Sequence, residues 1–265
     1  MKAQRGIQKP FLSRIVFIMT AVFLLLPLAV LVAYSFNDGK NSWTGFSLRW
    51  YYLLFTQKPF LWEAFFNSII IAVTSAALAT CIGTFAAIGL NWYRFRLKAY
   101  VESINFIPLV MPDIIVGLSL AILFSSIHLN LGLLNVILAH ISFNVPFVTL
   151  IVLARLNEFD NNILEAAGDL GANERQTLSK VILPMAFPGI ISGFVTAITL
   201  SLEDFVITAF VGAVGSTTLP VAINNAIRRD PESNVVYALS VIMIAGTVLI
   251  AFCTKHFLKY LVQRS

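Results

Sequence analysis

EAAGDLGANERQTLSKVILP, residues 165–184, is a polar stretch in a chain that is otherwise mostly apolar. It holds three acids, two bases and two glycines. Its pattern is helical. Asp160 is placed to cap a first helix over residues 161–170, with Leu164, Ala167 and Leu170 on one face and Glu165 and Asp169 on another. Gly171 stands where a C-cap glycine belongs. Asn173, followed three residues later by Gln176, makes the N-cap pattern of a second helix. That helix carries Leu178, Val181 and Ile182 towards Pro184, where it is expected to break. The stretch reads as two short helices joined at an angle by Gly171.

Outside it, the chain is built for lipid. Of its 265 residues, 58% are hydrophobic and 12% charged, and the mean hydropathy is +0.84. A soluble domain averages about 25% charged residues, so this much apolar surface implies an integral membrane protein. Six segments approach the 20 or so apolar residues that a spanning helix needs. They run from about 15 to 34, 64 to 90, 101 to 124, 132 to 153, 189 to 210 and 235 to 257. The first has a basic start, but its apolar run exceeds a signal-peptide core and no small-x-small site ends it, so it reads as a retained helix. With the N-terminus inside, thirteen Lys and Arg fall on inner segments against five on outer ones, which sets both termini and the polar stretch in the cytoplasm. Trp43, Trp50, Tyr51, Tyr52 and Trp62 in the first outer loop suit a helix lying at the membrane interface. The chain reads as one membrane domain over residues 1–265, with a cytoplasmic loop at about 154–188.

Several functions are excluded. The basic residues lie in short runs between apolar spans, not in an aromatic-interleaved patch, which argues against nucleic acid. Cys81 and Cys253 read as buried membrane thiols, and His128, His140 and His256 lack ligand-like spacing, so no metal site is expected. There is no G-x-x-x-x-G-K-[ST] phosphate loop, so this chain lacks the usual means to hydrolyse ATP.

The long inner loop from Ala154 to Pro188 has five acids and three bases. Helices that lie on an anionic leaflet are rich in Lys and Arg, which this loop is not. A solvated linker would not need its caps, stripe and placed glycines. A short helix with one apolar face and the small residues Ala166, Ala167 and Gly168 suits a groove on a partner protein.

The spacing Glu165-Ala166-Ala167, three residues, Gly171, nine residues, then Val181-Ile182-Leu183-Pro184 resembles the EAA loop of ABC-importer permeases, with valine for the first isoleucine. GFSLRWY (45–51), MPDIIVG (111–117), SLEDFVITAF (201–210) and LPVAI (219–223) are similar to the spermidine/putrescine permeases of that family, so the resemblance covers nearly the whole chain. It implies an all-α membrane protein of six transmembrane helices with the type I ABC importer (MetI-like) architecture, in a bacterial inner membrane. It further implies that Glu165, Ala166, Ala167, Gly168, Gly171, Leu183 and Pro184 couple the chain to an ABC ATPase dimer. ATP and magnesium would be bound by that ATPase, with no cofactor in this chain. A second, related permease subunit and an extracytoplasmic binding protein complete the implied assembly. Permeases for aminophosphonates, other amines or iron share parts of these motifs, so the solute stays open. An ATP-independent carrier or channel is the rival from another class.

Ionisable residues at membrane depth are functional candidates. Asp113 follows Pro108 and Pro112, which are expected to kink or break the third span. Glu203 and Asp204 sit well inside the fifth. These three acids are the candidate substrate path for a cation. The competing structural reading is that they bond to backbone or to Ser and Thr on neighbouring helices.

Overall fold

The computed structural model describes residues 11–246 and 248, apart from 40, 41, 130, 161, 214, 230–233 and 247. The segments carrying the expected cytoplasmic termini, and the sixth span beyond residue 248 with Cys253 and His256, lie outside the described residues. The described chain is helical. In order come α1 (Phe11–Ser35), α2 (Arg49–Gln57), α3 (Pro59–Trp92), α4 (Lys98–Val110), α5 (Asp113–Ser126), α6 (Leu133–Leu156), α7 (Asn162–Asp169), α8 (Glu174–Thr177), α9 (Leu183–Glu203), α10 (Val206–Val211), α11 (Leu219–Arg229) and α12 (Val235–Gly246). A π-helical segment, Leu178–Ile182, joins α8 to α9.

Among the described residues four helices are long and apolar enough to cross a membrane: α1, α3, α6 and the continuous Glu174–Glu203. The pair α4 and α5 makes a fifth if counted as one span, although it bends by 111°. The bend follows from the sequence. Met111 precedes Pro112 and is therefore pushed out of the helical region, to φ −76° and ψ 139°.

Two expectations are corrected here. Pro184 does not break its helix. It falls at the first turn of α9, where its missing N–H is tolerated. The π segment widens the turn before it, with the Leu183 N–H reaching the Leu178 carbonyl five residues back. The fifth span also starts earlier than residue 189 and ends at Glu203, not 210. There Asp204 turns extended (φ −63°, ψ 124°) and a new short helix begins.

Contacts divide the chain into two units, residues 60–224 and residues 1–59 with 225–265. In the first, α6 is the central helix. Val148 is fully buried between two glycines: a Cβ at Gly83 of α3 would stand 2.9 Å from its side chain, and one at Gly193 of α9 would stand 3.2 Å away. Small residues here let the helices approach closely, since dispersion rather than water expulsion holds helices together in lipid. Val152, Leu156, Ile182 and Ala186 continue this core towards the polar loop, and Ala197 extends it the other way.

In the second unit Asn37 is a buried hub. Its side-chain amide donates to the carbonyls of Gly39 (2.8 Å) and Ser42 (2.7 Å), and its Oδ1 accepts from the Thr44 N–H (2.9 Å). The indole of Trp50 donates to the Asn37 carbonyl at 2.6 Å. Trp50 is thus buried in this knot and not spread on the interface, whereas Trp43 and Tyr52 are exposed.

Candidate functional site

The two helix breaks bring the candidate acids together. Asp113 is the first residue of α5, where the helix dipole favours a carboxylate. Glu203 is the last residue of α9. Both line one open cleft of about 420 Å³ with Asp204, Phe143, Phe147 and Phe205. No Lys or Arg is among its lining residues. The cleft is possible because α5 and α10 pack tightly: a Cβ on Gly117 would lie 3.1 Å from the Ile207 backbone.

The three acids are held differently. Asp204 accepts from the N–H of Ile207 (3.1 Å) and of Thr208 (2.9 Å), and from the Thr208 hydroxyl (2.7 Å). In an unbroken helix those two N–H groups would serve the carbonyls of Glu203 and Asp204. The side chain has captured them instead, which is why the span breaks. His140 of α6, fully buried, lies 3.4 Å from the same carboxylate. Its Nε2 is 3.0 Å from the Thr208 hydroxyl and its Nδ1 2.5 Å from the Ser201 hydroxyl, which in turn meets Ser75 of α3 at 3.2 Å. Asp113 and Glu203 are exposed to the cleft and have no hydrogen-bond or ion-pair partner among the described residues. For Asp204 the arrangement is thus the bonding to backbone and Thr that competes with a direct pathway role.

The polar loop forms a second candidate surface. Asp160 accepts from the Asn162 N–H at 3.0 Å and starts α7. Gly171, at φ +79°, ends it: its N–H reaches the Gly168 carbonyl (2.8 Å), and the Ala172 N–H reaches that of Ala167 (3.0 Å). This paired arrangement is the Schellman motif. Asn173 and Gln176 then close a reciprocal capping box at 3.0 and 2.9 Å. Within the loop Ala167 and Leu164 face the core, while Glu165, Ala166, Gly168 and Asp169 point outward. Leu170 was expected on the apolar face with Leu164 and Ala167. It is instead 88% exposed, because the helix ends beneath it. Leu183 packs against the core and Pro184 is exposed in the first turn of α9. Tyr93, just past α3, donates a hydrogen bond to Glu174, which raises the phenol above its ordinary range and ties α3 to α8.

Residues 79–265 match the family described as binding-protein-dependent transport system inner membrane component. That covers well over half of the chain, from α3 onward. The chain belongs to this family of ABC importer permeases. It is 38% identical to the spermidine/putrescine transport system permease protein PotC of Haemophilus influenzae, over 91% of this chain and 95% of that one. It is 37% identical to the putrescine transport system permease protein PotI of Escherichia coli K12, over 90% and 87%. Among solved structures, a bacterial ABC transporter involved in import of the acidic polysaccharide alginate superposes with a TM-score of 0.74 at 15% identity, covering 97% and 98% of the two chains. The fold is therefore shared at an identity as low as 15%.

His140 is the residue of the candidate site that spacing arguments miss in this permease. Its spacing to the other histidines and to cysteine suggests no metal site, and that is all spacing can say of it. The available signal was different: an imidazole inside an apolar span demands polar partners, and SLEDFVIT (201–208) supplies them from another helix.

Proposed function

We propose that this permease moves linear polyamines, such as putrescine and spermidine, into the cell. The carrying observation is the cleft at the two helix breaks. Two carboxylates without a partner among the described residues, Asp113 and Glu203, face it beside three phenylalanines, and no Lys or Arg is among its described lining residues. A polyamine alternates ammonium groups with methylenes, so it matches both charge and apolar wall. The names of the relatives, spermidine/putrescine and putrescine permeases, support the same class. An acidic solute would meet repulsion here.

On this reading the assembly is an importer of the bacterial inner membrane. An ATPase dimer docks on the loop through Glu165, Ala166, Gly168, Leu170, Gly171 and Pro184, while Ala167 and Leu183 shape that surface from within. A second, related permease subunit pairs with this chain, and an extracytoplasmic binding protein delivers the solute. An 88% exposed leucine on a polar loop is the feature that most favours docking.

The test is uptake of labelled putrescine by cells carrying the chain with its neighbouring transport genes. Glu203→Gln should cut uptake about tenfold or more, the scale of a lost charge-assisted hydrogen bond, with membrane abundance unchanged. Uptake kinetics equal to the parent chain would remove Glu203 from the path. Failure of the parent to take up any polyamine would reject the substrate class.

A further inference from the structure

We propose that His140 is a positioning residue for transport: its ring staples the two sides of the α9–α10 break and so aims Glu203 into the cleft. This rests on the reading of that cleft as the cation path. The ring sits on α6, yet it bonds on both sides of the discontinuity. Its Nδ1 meets Ser201, two residues before Glu203, and its Nε2 meets Thr208, with Asp204 at 3.4 Å. Glu203 is therefore the exposed carboxylate between two fixed points.

The hydrogen-bond directions are set by proton supply. Thr208 has one hydroxyl proton, and the 2.7 Å bond gives it to Asp204. Its oxygen then accepts from the ring, so Nε2 carries a hydrogen. In a neutral ring Nδ1 accepts from the Ser201 hydroxyl, and Ser201 accepts from Ser75. The chain Ser75, Ser201, His140, Thr208, Asp204 thus runs in one direction, with each hydroxyl satisfied and each residue from a different turn or helix. Such a network, with its histidine, Ser75, Ser201 and Thr208 buried, specifies one geometry when every member is satisfied. Packing alone would not need both ring nitrogens. A phenylalanine fills the same space and restores neither bond.

Cysteine accessibility tests this without relying on transport. In the full importer complex, in membranes, with Cys81→Ala and Cys253→Ala, a Glu203→Cys chain is reacted with the cationic thiol reagent aminoethyl methanethiosulfonate. Adding His140→Phe should slow the reaction about tenfold, as expected for losing two ordinary hydrogen bonds that hold one conformer. His140→Gln, which keeps a donor on a comparable reach, should recover most of the rate. Ser201→Ala, which cuts one bond and leaves the ring in place, should fall between, and it carries the test if the phenylalanine chain fails to assemble. An unchanged rate in both His140→Phe and Ser201→Ala overturns the proposal. So does an equal loss with Gln and Phe, which would make the ring mere filling. In the unmodified complex, putrescine uptake per assembled permease should follow the same order. If labelling follows it while no variant or parent carries putrescine, the staple stands and the polyamine reading falls.

Discussion

Gly171→Ala isolates the backbone cost of the loop that joins α7 to α8. At φ +79° an L-residue meets its own backbone, yet nothing lies within 4 Å of the added Cβ, so no packing clash confuses the result. A left-handed non-glycine residue costs about 1–2 kcal/mol. Alanine recovers about 0.4–1 kcal/mol by stiffening the unfolded loop. The net is about 1 kcal/mol, or roughly a fivefold rise in the population of opened loop. Asparagine, which tolerates this conformation, should cost less, and valine more. Gly168→Ala is the control: it too has open space around its Cβ but is helical, so it should firm the loop by up to about 0.5–1 kcal/mol. The readout is amide hydrogen exchange of the purified chain in detergent, at Gly171 and Ala172, whose N–H groups close the turn onto Gly168 and Ala167. Exchange should quicken in the order Asn, Ala, Val. Equal protection in all three variants would refute the left-handed turn as the loop's joint.

Gly83→Ala and Gly89→Ala lie on the same helix and should move stability in opposite directions. The first drives a methyl to 2.9 Å from Val148 Cβ and 3.1 Å from the Thr149 backbone, neither of which is a flexible end, so overpacking should cost about 1–3 kcal/mol. The second meets nothing within 4 Å and should gain up to about 1 kcal/mol; thermal unfolding in one detergent compares them. The Tyr93–Glu174 bond has its own pH signature. A phenol held above its ordinary 10.0 contributes in full below that value and loses its contribution as pH rises through the higher folded value. The difference in ultraviolet absorbance titration between the parent and Tyr93→Phe isolates this phenol, and Glu174→Gln should bring its ionisation down. No movement would deny the contact in solution.

The loop was legible in the sequence because its signals are local. Asp160, Gly171 and the Asn173–Gln176 pair act within a few residues, and each does what its residue type dictates. The bend at Pro112 was legible for the same reason. What escaped depends on other helices. Pro184 reads as a stop, but a π turn absorbs it. Asp204 stands out in the sequence as an acid at membrane depth, but that its carboxylate takes two backbone donors and so ends the span shows only in the fold. His140 lies 61 residues from Ser201 and 68 from Thr208, so no spacing rule in one segment could have paired them. Asp113 and Glu203 are grouped in the sequence only as acids at membrane depth; the cleft they share is a property of the fold.

The helical run that begins at Glu174 and ends at Glu203 is continuous for 30 residues, its π turn included. At 1.5 Å per residue it is a rod of about 45 Å. One end carries the acid bonded to Tyr93, and the other carries the acid in the cleft. Tilting such a rod by about 10° about its loop end sweeps the far carboxylate through about 8 Å, on simple lever geometry at that rise. A small rotation at one end thus becomes, at the other, a shift larger than a helix radius of about 5–6 Å, with the glutamate as the tip of the pointer.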